Sequence, residues 1–259
     1  ISYAVLGEEN ETTIALFHVL GSDMNFFKRQ IDELSAKYRI LLWDMPWHGQ
    51  SVRPDRELDF NTIEAAFIEL LDYLGIERLI LSGVSLGGFV SYHIAARNPD
   101  RVEALHLDGA HPLHMNFGRF ISVLSVLHSL VLKSLPLKLI SVMAGAMLST
   151  DKPSKIMIRD FFRTFERRHL IHLAEGSKKS IMRGAPDTVK CPVLMTNGEN
   201  DFKFIRKRCI KWHEANAERT SYVTVTGGGH LHLATHPSAF TSALLRFVES
   251  LRQYNENPV

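Results

Sequence analysis

A chain of 259 residues, 45% hydrophobic and 22% charged, carries enough apolar surface for a large core, which excludes the disordered and fibrous classes. Thirty Lys and Arg stand against 28 Asp and Glu, a formal net charge of +2 spread along the chain, so nothing points to nucleic acid as a partner. The longest apolar stretches, residues 121–132 and 139–150, are interrupted by Lys133 and Lys138; each falls short of the roughly 20 residues that cross a bilayer, and no transmembrane segment is expected.

In chain order, short runs rich in Leu, Ile and Val recur at residues 13–18, 38–44, 78–84, 103–108, 192–197 and 222–226. Their nearly continuous apolar character predicts strands buried on both faces of a mostly parallel sheet. Helical spacing lies between them. Phe26, Phe27, Ile31 and Leu34 predict one helix. Ile63, Ala66, Phe67, Leu70, Leu71 and Leu74 predict a second, with Asn61 and Glu64 placed as a capping box and Gly75 beyond its end. Residues 239–251 predict a terminal helix with Leu244, Phe247 and Leu251 inward.

The alternation of strand and helix stops between residues 113 and 186, where only helical patterns follow one another. Residues 115–148 are mostly apolar and broken at Pro136, and Ile158, Phe161, Phe162 and Phe165 form an apolar stripe opposite Arg159, Arg163 and Arg167, read as a solvated basic face. The expected organisation is an α/β core from residues 1–112 and 187–259, with a helical cap inserted at 113–186. Cys191 and Cys209 are too few and too far apart for a disulfide scaffold or a CxxC site; reduced thiols without a function, in the cytoplasm, are expected. The first residue is Ile1, which leaves an upstream leader open.

The strongest chemical signal is Gly83-Val84-Ser85-Leu86-Gly87-Gly88, between a predicted strand and the helical residues 89–97. A serine on so sharp a turn needs Gly83 and Gly87 beside it, because side chains there collide with neighbouring backbone. The hydroxyl then stands exposed at a helix start, where free amides stabilise a developing oxyanion. A serine hydroxyl is a weak nucleophile and requires a base. Of 13 histidines, His230 follows Gly227-Gly228-Gly229 at the end of a strand pattern; His232 and His236 lack that glycine approach. The base needs a carboxylate on its other ring nitrogen. Asp201, in the turn Asn197-Gly198-Glu199-Asn200-Asp201, leads, with Asp108 and Glu199 as alternatives.

The order Ser85, Asp201, His230 resembles that of α/β-hydrolases. So do Phe17-His18-Val19-Leu20-Gly21, similar to that family's oxyanion loop, and Asp44-Met45-Pro46-Trp47-His48-Gly49-Gln50-Ser51, similar to its Asp-x-Pro-Gly-His-Gly-x-Ser segment. Gly229-His230 with His236-Pro237 resembles its histidine loop. The resemblance implies an acyl-enzyme mechanism without cofactor or metal, oxyanion amides from Leu20 and Leu86, and structural roles for His18 and His48. Two residues depart from the pattern: Val19 and Trp47 stand where the family has glycine, so the backbone at Leu20 is expected to differ. The implied function is hydrolysis of an ester-like bond in a small, largely apolar substrate, with thioester, lactone and carbon–carbon bond hydrolysis open on the same residues. A small-molecule-binding protein and an interaction module that docks through an apolar cap are the alternatives from other classes. Oligomeric state is not legible.

Overall fold

The computed structural model describes residues 1–114, 132–148, 165–185 and 189–256, together with Lys152, Lys155, Ile156, Ile158 and Arg159. Seven strands form one sheet: β1 (Tyr3–Leu6), β2 (Thr13–Phe17), β3 (Arg39–Trp43), β4 (Leu79–Val84), β5 (Val102–Asp108), β6 (Val193–Gly198) and β7 (Thr220–Val225), in the spatial order β1-β3-β2-β4-β5-β6-β7. All pairs are parallel except β1 with β3. The apolar runs thus lie where the sequence places them, within two residues at either end. The first strand was missed: only four residues long and mostly half-buried, it has neither the length nor the continuous apolar character of the buried strands.

Parallel strands need crossovers, and the connecting helices cover both faces of the sheet. Successive side chains of each strand point to opposite faces, so two apolar clusters form. Phe17, Leu41, Trp43, Leu81, Leu105 and Met195 share one with helix α2 (Phe60–Tyr73) and helix α3 (Leu86–Arg97). Leu16, Ile40, Leu42, Ile80 and Leu194 share the other with Phe240, Leu244 and Phe247 of the terminal helix. Further helices among the described residues include α1 (Ile31–Ser35), α4 (Leu137–Leu148), α5 (Arg167–Arg183), α6 (Lys203–Glu214), α7 (His232–Thr235) and the terminal α8 (Pro237–Glu256).

Two helix expectations are corrected. The pattern from Phe26 to Leu34 is a 3-10 turn at Met24–Phe27 followed by the short α1, because the Asp23 carboxylate bonds the Asn25 amide and nucleates a separate turn. The capping box at Asn61 and Glu64 does not form. Helix α2 starts two residues earlier, with Asp59 at its N-cap and Phe60, whose ring is buried, as its first residue, and Glu64 instead accepts hydrogen bonds from His93, Arg97 and Asn98. Gly75, at φ +63°, does end that helix.

Between β5 and β6, the described residues hold α4 and α5 and no strand. Phe161, Phe162 and Arg163 of the expected stripe, and residues 115–131 of the apolar stretch, lie outside the described residues. Ile158 is buried. Arg167 is not part of a merely solvated face: its guanidinium donates to the carbonyls of Leu132 and Leu135, each at 2.8 Å, joining the start of α5 to the turn before α4. Helix α5 is also tied to the approach to α2, through Lys179 to Glu57, Arg183 to Asp59 and the Leu58 amide to the His172 carbonyl. Both cysteines are free. Cys209 is buried and donates to the Ala110 carbonyl, and Cys191 is half-buried.

Candidate active site

Ser85 lies at the junction of β4 and α3 with φ 53° and ψ −113°, a left-handed conformation that a non-glycine residue adopts only when its surroundings impose it. The surroundings here are backbone. A Cβ on Gly87 would sit 2.1 Å from the Phe17 carbonyl oxygen, and one on Gly83 would sit 2.3 Å from that of Gly87. The two glycines therefore let α3 run tightly against β2 and β4, which forces the serine out of the turn. Its amide donates to the Asp108 carbonyl at 2.7 Å, which pins the turn to the end of β5.

From the opposite side, the loop after β7 carries His230 to this hydroxyl. The Ser85 hydroxyl donates to His230 Nε2 at 2.9 Å, and His230 Nδ1–H donates to Asp201 Oδ1 at 2.7 Å. This pattern assigns the imidazole tautomer, with the proton on Nδ1. Among the alternatives for the carboxylate, the structure therefore brings Asp201 to the ring. Glu199 is exposed and accepts from the Gly227 amide at 2.8 Å, which steadies the glycine turn leading to the histidine.

Burial pushes the Asp201 carboxyl up, but its hydrogen bond and attraction to His230, with bonds from Asn197 Nδ2 and the Phe202 amide, outweigh this and hold it below the usual carboxylate range. Asp201 stays ionised and can stabilise an imidazolium. The Phe202 ring packs 4.8 Å from the His230 ring, centroid to centroid, and limits its rotation.

The loop after β2 faces the serine turn. His18 is wholly buried; its Nδ1–H donates to the Val19 carbonyl and its Nε2 accepts from the Met45 amide, so both nitrogens are committed to holding backbone. Burial holds its pKa below the ordinary histidine value. His48 is buried too and its Nδ1–H donates to the Pro46 carbonyl. Val19 does not take a positive φ. The left-handed position falls on Gly21, at φ 77°, in a turn closed by the Ser22 amide on the Val19 carbonyl. Leu20 lies inside that turn. Among the described residues, neither its amide nor that of Leu86 donates to a protein group.

Trp47, the second departure from the pattern, does adopt a positive φ of 71°. Three hydrogen bonds hold it there: its amide to the Val52 carbonyl, its indole Nε1–H to the Arg56 carbonyl, and His169 of α5 donating to its carbonyl. The ring itself is fully buried. A surface cavity of about 340 Å³ opens beside this turn, lined by Arg53, Pro54, Phe165, His169 and His172 among others.

A second polar chain lies under the site. The Ser82 hydroxyl donates to His106 Nδ1, His106 Nε2–H to Thr196 Oγ1, and the Thr196 hydroxyl to Asp108 Oδ1, all within 2.8–2.9 Å. His232 Nε2 lies 3.2 Å from the same carboxyl oxygen. Every member is buried. Burial, with repulsion from Asp201, raises Asp108 to about 8 against the lowering effect of Thr196, and burial lowers His232 to about 4 and His106 to about 3. Near neutral pH the chain is thus largely uncharged. His236 turns away to Thr235 Oγ1, so the three imidazoles of the histidine loop engage three different partners.

With this geometry in view, the comparisons with known proteins can be read. Residues 12–136 match the family described as the alpha/beta hydrolase fold. The crystal structure of the enol-lactonase from Burkholderia xenovorans LB400 superposes with a TM-score of 0.80 at 22% identity, covering 96% of each chain. The chain is an α/β-hydrolase-fold protein. A relative of this chain whose provisional name is a carbamate hydrolase, from Caulobacter sp. strain K31, is 24% identical over 253 residues, 91% of this chain and 90% of that one. A dihydrolipoyllysine-residue acetyltransferase component of an acetoin cleaving system from Pseudomonas putida is 35% identical over 102 residues, which is 39% of this chain but only 28% of that relative. This chain thus spans under a third of the length of that curated relative.

Sequence reasoning missed the chain from Ser82 to Asp108. His106 alternates with leucines inside a strand, which reads as an ordinary buried position, and only the cross-strand register of β4, β5 and β6 brings Ser82, His106, Asp108 and Thr196 together. Phe202 was legible as the residue after Asp201, but nothing in one sequence marks it as the ring beside His230.

Proposed function

We propose that this protein is a serine hydrolase that cleaves an ester-like bond of a small, largely apolar substrate through an acyl-enzyme. The observation that carries the reading is the continuous hydrogen-bonded line from the Ser85 hydroxyl through His230 to Asp201. Ser85 Oγ attacks the carbonyl carbon while its proton passes to His230 Nε2, and Asp201 stabilises the imidazolium. The oxygen that becomes negative is received by the amides of Leu86, at the positive end of α3, and of Leu20. Collapse expels the alcohol, which takes the proton from His230. Water, deprotonated by His230, then attacks the acyl carbon, and the acid leaves as Ser85 recovers its proton.

The helical connection between β5 and β6 acts as a cap over the core, and its apolar composition favours an apolar acyl or alcohol portion. The enol-lactonase likeness and the carbamate hydrolase relative add a lactone and a carbamate to the substrates worth assaying, since each has an acyl carbon open to the same attack. The test is turnover of p-nitrophenyl esters of rising chain length, an enol-lactone and an aryl carbamate, with fluorophosphonate labelling of Ser85. Hydrolysis of at least one, and label lost in Ser85→Ala, is the expected result. A folded protein that turns over none of them, yet binds one without releasing product, overturns the enzyme reading in favour of a small-molecule sensor.

A further inference from the structure

Helix α4 has two faces of unusual character. Ile140, Ser141, Ala144 and Gly145 are buried, and Ala144 belongs to the same apolar cluster as Val19 and Leu231, the residues flanking the Leu20 turn and following His230. Helix α4 therefore sits on the apolar cluster that reaches the loops carrying the reacting groups. Its opposite face is exposed but not polar. Leu139, Val142, Met143 and Met147 recur at helical spacing and are each between 43% and 63% exposed, and Ile156 joins them at 47%. Isolated exposed apolar residues need no explanation, but four on one helical stripe do.

The charges leading into the stripe have one sign. From residue 109 to residue 150 the chain contains no Asp or Glu, while Lys133 and Lys138 are exposed before and at the start of α4; beyond its end Asp151 and Lys152 carry opposite charges. Asp160 and Glu166 lie further on, among Lys155, Arg159, Arg163, Arg167 and Arg168. We propose that the exposed face of α4 docks on an anionic phospholipid surface, with Leu139, Val142, Met143 and Met147 entering the acyl boundary and Lys138 meeting headgroup phosphates. Apolar side chains on one face with lysines at its rim are what a helix lying in a membrane interface requires. A second copy of the chain fits less well: a twofold contact through this stripe buries Lys138 against an acid-free apolar helix that offers it no carboxylate. Among the described residues no helix is long and apolar enough to cross a membrane, so the contact is peripheral.

Cosedimentation of the whole chain with vesicles tests this, using phosphatidylcholine alone and phosphatidylcholine mixed equally with phosphatidylglycerol. The protein is expected to pellet with the anionic vesicles and much less with the neutral ones, and salt is expected to release it. Lys138→Gln should weaken partitioning about fivefold, and Leu139→Ser with Met143→Ser by at least about tenfold, with an unchanged circular dichroism spectrum. A wild-type protein that stays in the supernatant with both vesicle types overturns the proposal. So does a double variant that binds as well as wild type, or a wild-type dimer that this double variant converts to monomer while vesicle binding is absent. Binding is read without turnover and uses no group of the Ser85 site, so failure of the hydrolase reading leaves this test intact.

Discussion

Two carboxylates reach the site from neighbouring strand ends, and their surroundings give them opposite protonation. Asp201, held down by His230, Asn197 and the Phe202 amide, contributes stability that is present above the ordinary carboxylate range and lost as pH falls through its lowered value. Asp201→Asn keeps the shape but removes the charge that orients the ring; kcat on an activated ester should fall about 10⁴-fold, and Ser85→Ala should cost about 10⁶-fold. Asp108 behaves in the reverse sense. Unfolded it ionises near ~4, and folded it holds its proton up to about 8, so the folded state is favoured at low pH and loses stability as pH rises through that window. Asp108→Asn cannot ionise and should remove that slope: by thermal denaturation it melts above wild type near pH ~9 and level with it near pH ~4. Equal melting temperatures at both ends would refute the assignment. At this scale Ser85 and His230 were legible because glycines advertise a backbone that must bend. Asp201 led the carboxylates from its polar turn after a strand, but Asp108 and Glu199 stayed open, since three carboxylates at strand ends look alike until the strands are placed side by side.

The turn from Asp44 to Ser51 shows how an element overrides a residue's own preference. A left-handed tryptophan costs about 1–3 kcal/mol, and Trp47 tolerates this because its amide, indole and carbonyl are all bonded and its ring is buried. Restoring glycine by Trp47→Gly relieves the strain but deletes a large core side chain, worth about 3–5 kcal/mol. A net loss of about 2 kcal/mol, within a range of about 0–4, is expected in urea denaturation; a gain in stability would show that the ring contributes little. The same contest explains the capping box that the sequence suggested at Asn61 and Glu64. Glu64 finds three partners on α3 and the residue after it, more than one backbone amide offers, and local spacing carries no information about a partner some thirty residues away. The strand β1 escaped notice for a related reason: an edge strand with half-buried side chains has a weak pattern, and it is the antiparallel pairing with β3 that makes it a strand.

In the whole molecule, the continuous apolar runs were enough to read a sheet covered on both faces, because burial on two sides removes the polar alternation that a one-sided sheet shows. Strand order was not legible from composition or period. The arrangement sets a gradient of rigidity. β2, β4 and β5 are flanked by strands on both sides and covered by helices, whereas β1 and β7 are edges. Hydrogen exchange should find the slowest amides in β2, β4 and β5 and faster exchange in β1 and β7; uniform protection across the sheet would contradict this. The polar line from Ser82 through His106 and Thr196 to Asp108 steps from β4 to β5, diagonally to β6 and back to β5. It acts as a crossbar bolted beneath the reacting groups. Loops that grow from the tops of β4, β5 and β6 consequently inherit a common footing, and the spacing of Ser85 and Asp201 is set before any ligand arrives, leaving selectivity to the parts of the molecule that stand above it.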